Sequence, residues 1–166
     1  MKKIIFSFSL IIIVFSAAGQ RVAVKELVSM LDWPAKRIDT TLKKSGYLLM
    51  RKDVDSTSTL FEYSDVDRDE KPAEKPVNVR SFVYMDVSVR DLKSRLITYR
   101  TYDKDEFREM LTYMLANNYR STGKYDFEES KHTVYNNGSL EIRVKETSTI
   151  LKNGKTFIAY ELELGK

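Results

Sequence analysis

The sequence predicts an α+β domain, an antiparallel sheet of about six strands with helices on one face. Three observations carry this. Asn136-Asn137-Gly138 and Asn153-Gly154 stand between apolar segments, and Asn-Gly in that setting is the strongest short hairpin signal. Asp103 and Glu106 precede Phe107, Met110, Leu111, Met114 and Leu115 at helical spacing, the pattern of a capping box opening an amphipathic helix. The order helix, strand, strand, strand then occurs twice along the chain.

The elements follow from local chemistry. Residues 1–19 join a basic start at Lys2-Lys3, an apolar run broken only by serines, and small residues at Ala17-Ala18-Gly19. That is the layout of a secretory signal peptide, cut after Gly19 or Ala18. The apolar run is shorter than the ~20 residues a membrane span needs. Val24, Leu27, Val28 and Leu31 lie on one helical stripe in residues 22–31. Pro34 suits the first turn of a second helix, and Gly46 suits its end. Residues 60–64 read as a strand. Residues 65–79 are charged and broken by proline, with little to bury, and read as a solvated loop. Alternation over 81–89 and 95–102 gives two strands, and 131–135, 140–151 and 156–164 give three more. Asn117-Asn118 can end the helix between these two groups.

The repeat divides residues 20–166 into pseudo-repeats of about 22–102 and 103–166 within one domain. Leu42–Tyr47 precedes Met114–Tyr119 by about 70 residues. Tyr63 ends its strand as Tyr135 does, and Ile97-Thr98-Tyr99 matches Ile158-Ala159-Tyr160. In this element order the chain resembles the tandem-repeat β-lactamase inhibitory proteins and a doubled BamE/SmpA fold, exported proteins that pack helices on one face of an antiparallel sheet. It lacks the cysteines those families use for disulfides or lipid attachment, and no functional residue carries over from them.

Charge and composition narrow the function classes. With Lys2 and Lys3 removed, 26 basic residues face 24 acidic ones, a net charge of +2. The signs are interspersed, so nucleic acid is not an expected partner. The chain has no cysteine, which removes disulfides and a lipid-anchored N-terminus. The leader implies a periplasmic or secreted protein with no transmembrane span after cleavage. Its expected partner is another envelope or secreted protein.

Strand alternation separates two sheet faces. Val83, Met85, Val87, Ile97, Tyr99, Leu140, Ile142, Val144, Ile158, Tyr160, Leu162 and Leu164 form the expected core face. Phe82, Tyr84, Asp86, Arg100, Tyr102, Glu141, Arg143, Lys145, Glu161 and Glu163 form the other. Aromatics and arginine are enriched at interfaces. Phe82, Tyr84, Arg100, Tyr102, Arg143 and Glu161 are therefore the candidate protein-binding face, against the plainer reading of a solvated face with cross-strand charge pairs.

Catalytic and metal chemistry finds little purchase. His132 is the single histidine and stands without a nucleophile motif. Ser121-Thr-Gly-Lys124 has the Ser-x-x-Lys spacing but follows a helix instead of opening one. Asp65, Asp67 and Asp69 alternate like the start of a calcium loop, yet Glu70 and Pro76 stand where glycine and glutamate belong. Asn137-Gly138-Ser139 is a glycosylation sequon whose hairpin role explains it, and Trp33 beside Pro34 reads as a packing anchor. No cofactor and no catalysis are expected. The leading reading is an exported binding module that uses the open sheet face. The alternative is a small-ligand or lipid carrier of the cell envelope, with an apolar chamber between helices and sheet.

Overall fold

A computed structural model describes residues 21–65, 79–150 and 154–166. The predicted signal segment, most of the charged loop and its Asp67 and Asp69 lie outside these residues. Three helices, α1 (Val24–Met30), α2 (Ala35–Lys44) and α3 (Lys104–Ala116), accompany eight strands. These are β1 (Leu48–Val54), β2 (Ser58–Ser64), β3 (Arg80–Val89), β4 (Leu92–Thr101), β5 (Arg120–Phe127), β6 (Ser130–Asn136), β7 (Glu141–Ile150) and β8 (Thr156–Gly165). They form one antiparallel sheet in the order β1-β2-β3-β4-β8-β7-β6-β5.

The α+β class and antiparallel sheet match the sequence expectation, but the sheet has eight strands where about six were expected. The two unread strands, β1 and β5, are its edges. Their side chains are almost all exposed. Apolar alternation records burial of one face, and an edge strand with charged residues such as Arg51, Lys52 and Asp53 shows little of it. The β5–β6 turn is Glu128-Glu129, without Asn or Gly, and Glu128 takes φ 52° itself.

The two halves share a register. Leu49 pairs with Tyr63 and, past a bulge, Arg51 with Glu62. Ser121 pairs with Tyr135 and, past a bulge, Gly123 with Val134, each first-strand position 72 residues (121 less 49) beyond its counterpart. Gly46 (φ 85°) and Asn118 (φ 64°) end α2 and α3 at the same spacing. After each, a buried tyrosine amide, Tyr47 or Tyr119, donates 3.0 Å to the carbonyl of Leu42 or Met114. The central ladder sets Ile97 opposite Leu164 and Tyr99 opposite Leu162, so a half-turn about Thr98 and Glu163 exchanges the halves. The unit is therefore a helix and four strands, one strand more than expected. Leu162 and Leu164, not Ile158 and Tyr160, correspond to Ile97 and Tyr99. α1 has no counterpart in the second half.

All three helices cover the same sheet face. Val24, Leu27 and Met30 of α1, Ile38 and Leu42 of α2, and Phe107, Met110 and Met114 of α3 join one buried cluster with Tyr63, Phe82, Tyr84, Ile97, Tyr99, Ile142, Val144, Leu162 and Leu164. Leu115, expected on the α3 stripe, is exposed.

Polar groups sit inside this layer. Asp103 caps α3 as its sequence position predicts, its Oδ1 accepting from the amides of Asp105 (2.9 Å) and Glu106 (3.1 Å). The return arm of the capping box is not made. The Glu106 carboxylate is buried and accepts from Arg80 Nε (2.8 Å), the Tyr99 hydroxyl (2.6 Å) and the Thr101 hydroxyl (2.9 Å). The Asp103 amide donates to Thr101 Oγ1 instead. Arg80, 5% exposed, also gives its backbone amide and Nη1 to the Asp65 carboxylate (2.6 and 3.2 Å).

Burial would raise the Asp103 pKa, but the Glu106 and Asp105 amides and the charges of Arg21 and Arg80 outweigh it and hold the carboxyl below its usual 3.8. A depressed folded-state pKa contributes stability that is full above the unfolded value and lost as pH falls through the folded one. The melting temperature is expected to fall steadily as pH drops from about 5 toward 2. Asp103→Asn should be less stable than the parent at pH 7 and lose less on acidification, which thermal melts across that window check.

Candidate functional site

The expected binding face is built on strands, so the phase of each strand decides which side chains it holds. Residues directly opposite in an antiparallel pair share a face. Phe82 lies opposite Tyr99, and Tyr84 opposite Ile97. All four are 0% exposed beneath the helices. The assignment of Phe82 and Tyr84 to an open face is therefore corrected, and with it the assignment of Val83, Met85 and Val87 to the core. Both phases of β3 carry apolar side chains, so alternation alone does not choose between them. Packing does: Phe61 stacks on Tyr84 at 6.1 Å, and Tyr63 meets Phe82 edge-on at 6.2 Å. Burial pushes the Tyr84 phenol up to about 12, with its hydrogen bond to Asp86 acting in the same direction.

Arg100, Arg143 and Glu161 do lie on the opposite face, which no helix among the described residues covers. Arg100 donates to Glu161 through Nε (2.8 Å) and Nη2 (2.6 Å). Arg143 pairs with Glu141 (3.0 Å) and Glu163 (3.4 Å). Tyr102 falls outside β4, half-buried in the connection to α3. Beside the ion pairs runs an apolar row absent from the sequence reading: Leu60 opposite Met85, and Met85 opposite Leu96, flanked by Val83 and Val87. These side chains are half-buried. Across the sheet, His132 stacks on Tyr125 with rings 4.8 Å apart and meets Phe127 edge-on. Its Nε2 is buried without a partner.

The other motifs fall into structural roles. Ser121 and Lys124 lie along β5, ~10 Å apart at strand rise, where the Ser-x-x-Lys chemistry needs one helical turn. Asp65 spends its carboxylate on Arg80. Asn137 Oδ1 accepts from the amides of Ser139 and Leu140 and so shapes its turn. Arg37 lies 3.9 Å over the Trp33 ring. Among the described residues no cluster of three or more His, Asp or Glu is placed to hold a metal.

A polar cleft of about 650 Å³ opens where the end of α1 meets the β1–β2 turn and the adjoining ends of β3 and β4. Arg95 forms one wall. Its Nη1 donates to the carbonyls of Leu31 (2.7 Å) and Trp33 (2.9 Å), and its Nη2 to Asp86 (2.8 Å). Asp55 closes the β1–β2 turn by accepting from the amides and hydroxyls of Thr57 and Ser58. Those bonds, the Thr57 amide first, hold its carboxyl down at about 2. Asp55 with Thr57 two residues on is a local turn signal legible in sequence. The meeting of that turn with Arg95 and α1 is not.

Comparison of the chain with family models, curated proteins and solved structures finds no match.

Tyr84→Ala is expected to cost about 3–5 kcal/mol, as for a large aromatic removed from a core. Arg100→Ala should cost no more than about 1 kcal/mol, since an exposed pair contributes little. Urea denaturation of both variants measures the difference, and equal costs would return Tyr84 to the open face.

Proposed function

We propose that this chain is an exported, non-catalytic binding module that docks another envelope or secreted protein on the uncovered face of its sheet. The observation that carries the reading is the contrast between the two faces. One is closed by three helices, while the other presents the Leu60–Met85–Leu96 row beside the Arg100–Glu161 and Arg143–Glu163 pairs. A half-buried apolar core rimmed by paired charges is the usual anatomy of a protein interface. The shared register supports descent from a duplicated helix-and-four-strand unit, and the resemblance in element order to tandem-repeat inhibitory proteins points the same way.

The carrier alternative asks for an apolar chamber of at least ~300 Å³. The apolar nook between α1 and α3 encloses about 140 Å³. The larger cleft has the volume, but its lining of serines, threonines and charged residues does not suit a lipid. No helix among the described residues is long and apolar enough to cross a membrane.

Val83→Lys with Leu96→Lys should abolish capture of an envelope partner without lowering the melting temperature by more than a few degrees. Lys36→Glu, on the exposed side of α2, should leave capture intact. Unchanged capture by a folded double variant would place the partner elsewhere. N-terminal sequencing of the protein recovered from the envelope is expected to begin at Gln20 or Gly19, and a start at Met1 would remove the export reading.

A further inference from the structure

We propose that the cleft beside α1 binds a small hydroxylated carboxylate of the sugar-acid type. This goes beyond the open-face reading and does not depend on it.

The first argument is the asymmetry of the halves. Their shared register makes Tyr160 the counterpart of Arg95 and Glu146 the counterpart of Asp86, and each pair sits directly opposite across its ladder. In the second half, Tyr160 stacks on Phe107 with rings 4.1 Å apart. In the first half, Arg95 ties the sheet to the end of α1, the helix that the second half lacks. The two features that break the repeat thus converge on one place and open a cleft of ligand size, about 650 Å³. Its wall is preorganised, because three hydrogen bonds hold the Arg95 guanidinium and its Nε is sealed from solvent.

The second argument is which polar groups are already spent. Asp86 is committed to Arg95 and the Tyr84 hydroxyl, Asp55 to its own turn, and Asp32 to Lys166. Among the described residues the Lys93 ammonium makes no direct ion pair, and its charge acts on Asp86 from farther off. The hydroxyls of Ser56, Ser88 and Ser94 make no hydrogen bond among the described residues. Among the described residues, an ammonium without a direct ion pair, set among unbonded hydroxyls, matches a ligand with one carboxylate and several hydroxyl groups. Among the described residues no aromatic ring lines the cleft, so recognition runs through hydrogen bonds and charge and not through stacking.

Titration calorimetry of the full mature chain with glucuronate, glucose, acetate and inorganic phosphate tests this. Glucuronate should bind saturably, with glucose and acetate each weaker by roughly tenfold or more, the loss of one charge-assisted contact or of the hydroxyl set. Lys93→Ala should weaken glucuronate by a similar factor while the circular dichroism melt is unchanged. Ser88→Trp, which fills the cleft from an exposed position, should abolish binding. Lys36→Ala, on α2, should do nothing. The proposal is overturned if glucuronate does not saturate in the millimolar range, if glucose or phosphate binds as well, or if glucuronate binding survives both cleft variants.

Discussion

Arg80 is the charge around which the first half and α3 are assembled. A guanidinium 5% exposed to solvent carries a desolvation penalty of several kcal/mol, and it is tolerable only with close anionic partners. Its partners come from separate parts of the chain. Asp65 follows β2, and Glu106 sits in the first turn of α3. Glu106 in turn accepts from Tyr99 and Thr101 of β4, and Tyr99 meets the Tyr47 hydroxyl at 3.3 Å. Satisfying one buried cation therefore requires β2, β3, β4, α3 and the end of α2 to arrive together. The same group belongs at once to the helix layer and the sheet, so it also decides which phase of β3 faces inward. Phe82 and Tyr84 follow Arg80 by two and four residues and must share its side.

The shared register explains the frame, and the departures from it explain the surface. Two helix-and-four-strand units joined along β4 and β8 need only one kind of helix packing and one kind of edge. Each edge strand carries a bulge at its third position, which bends the strand and interrupts the unpaired ladder that would otherwise invite another chain. α1 is an addition to this frame, and Arg95 fastens it. The cleft and the uncovered face then lie on different parts of the molecule, one polar and concave, the other apolar at its centre and rimmed by paired ions.

Legibility in the sequence tracked how local each signal was. The α3 cap was readable because Asp103 bonds amides two and three residues away. The positive-φ ends at Gly46 and Asn118 were readable for the same reason. Glu106 was misread because its partners, Arg80 and Tyr99, come from other elements, and a buried cation competes for a carboxylate better than an amide that Thr101 already satisfies. Of the six candidate binding residues, strand alternation assigned Arg100, Arg143 and Glu161 to the face away from the helices, which is where they lie. Phe82 and Tyr84 were misplaced because an aromatic suits an interface and a core equally well.

What the amino-acid sequence determined by itself was the set of helices, the Asn-Gly turns and the interior strands, the antiparallel α+β class and the near-repetition of one unit. Those follow from backbone preferences and from burial patterns a few residues long. Tertiary structure alone decided the edge strands, the phase of β3, the pairing of β4 with β8 and the cleft beside α1. Each of these depends on groups tens of residues apart competing for the same interior space, the same hydrogen bonds or the same charge, and no short stretch of sequence contains both competitors.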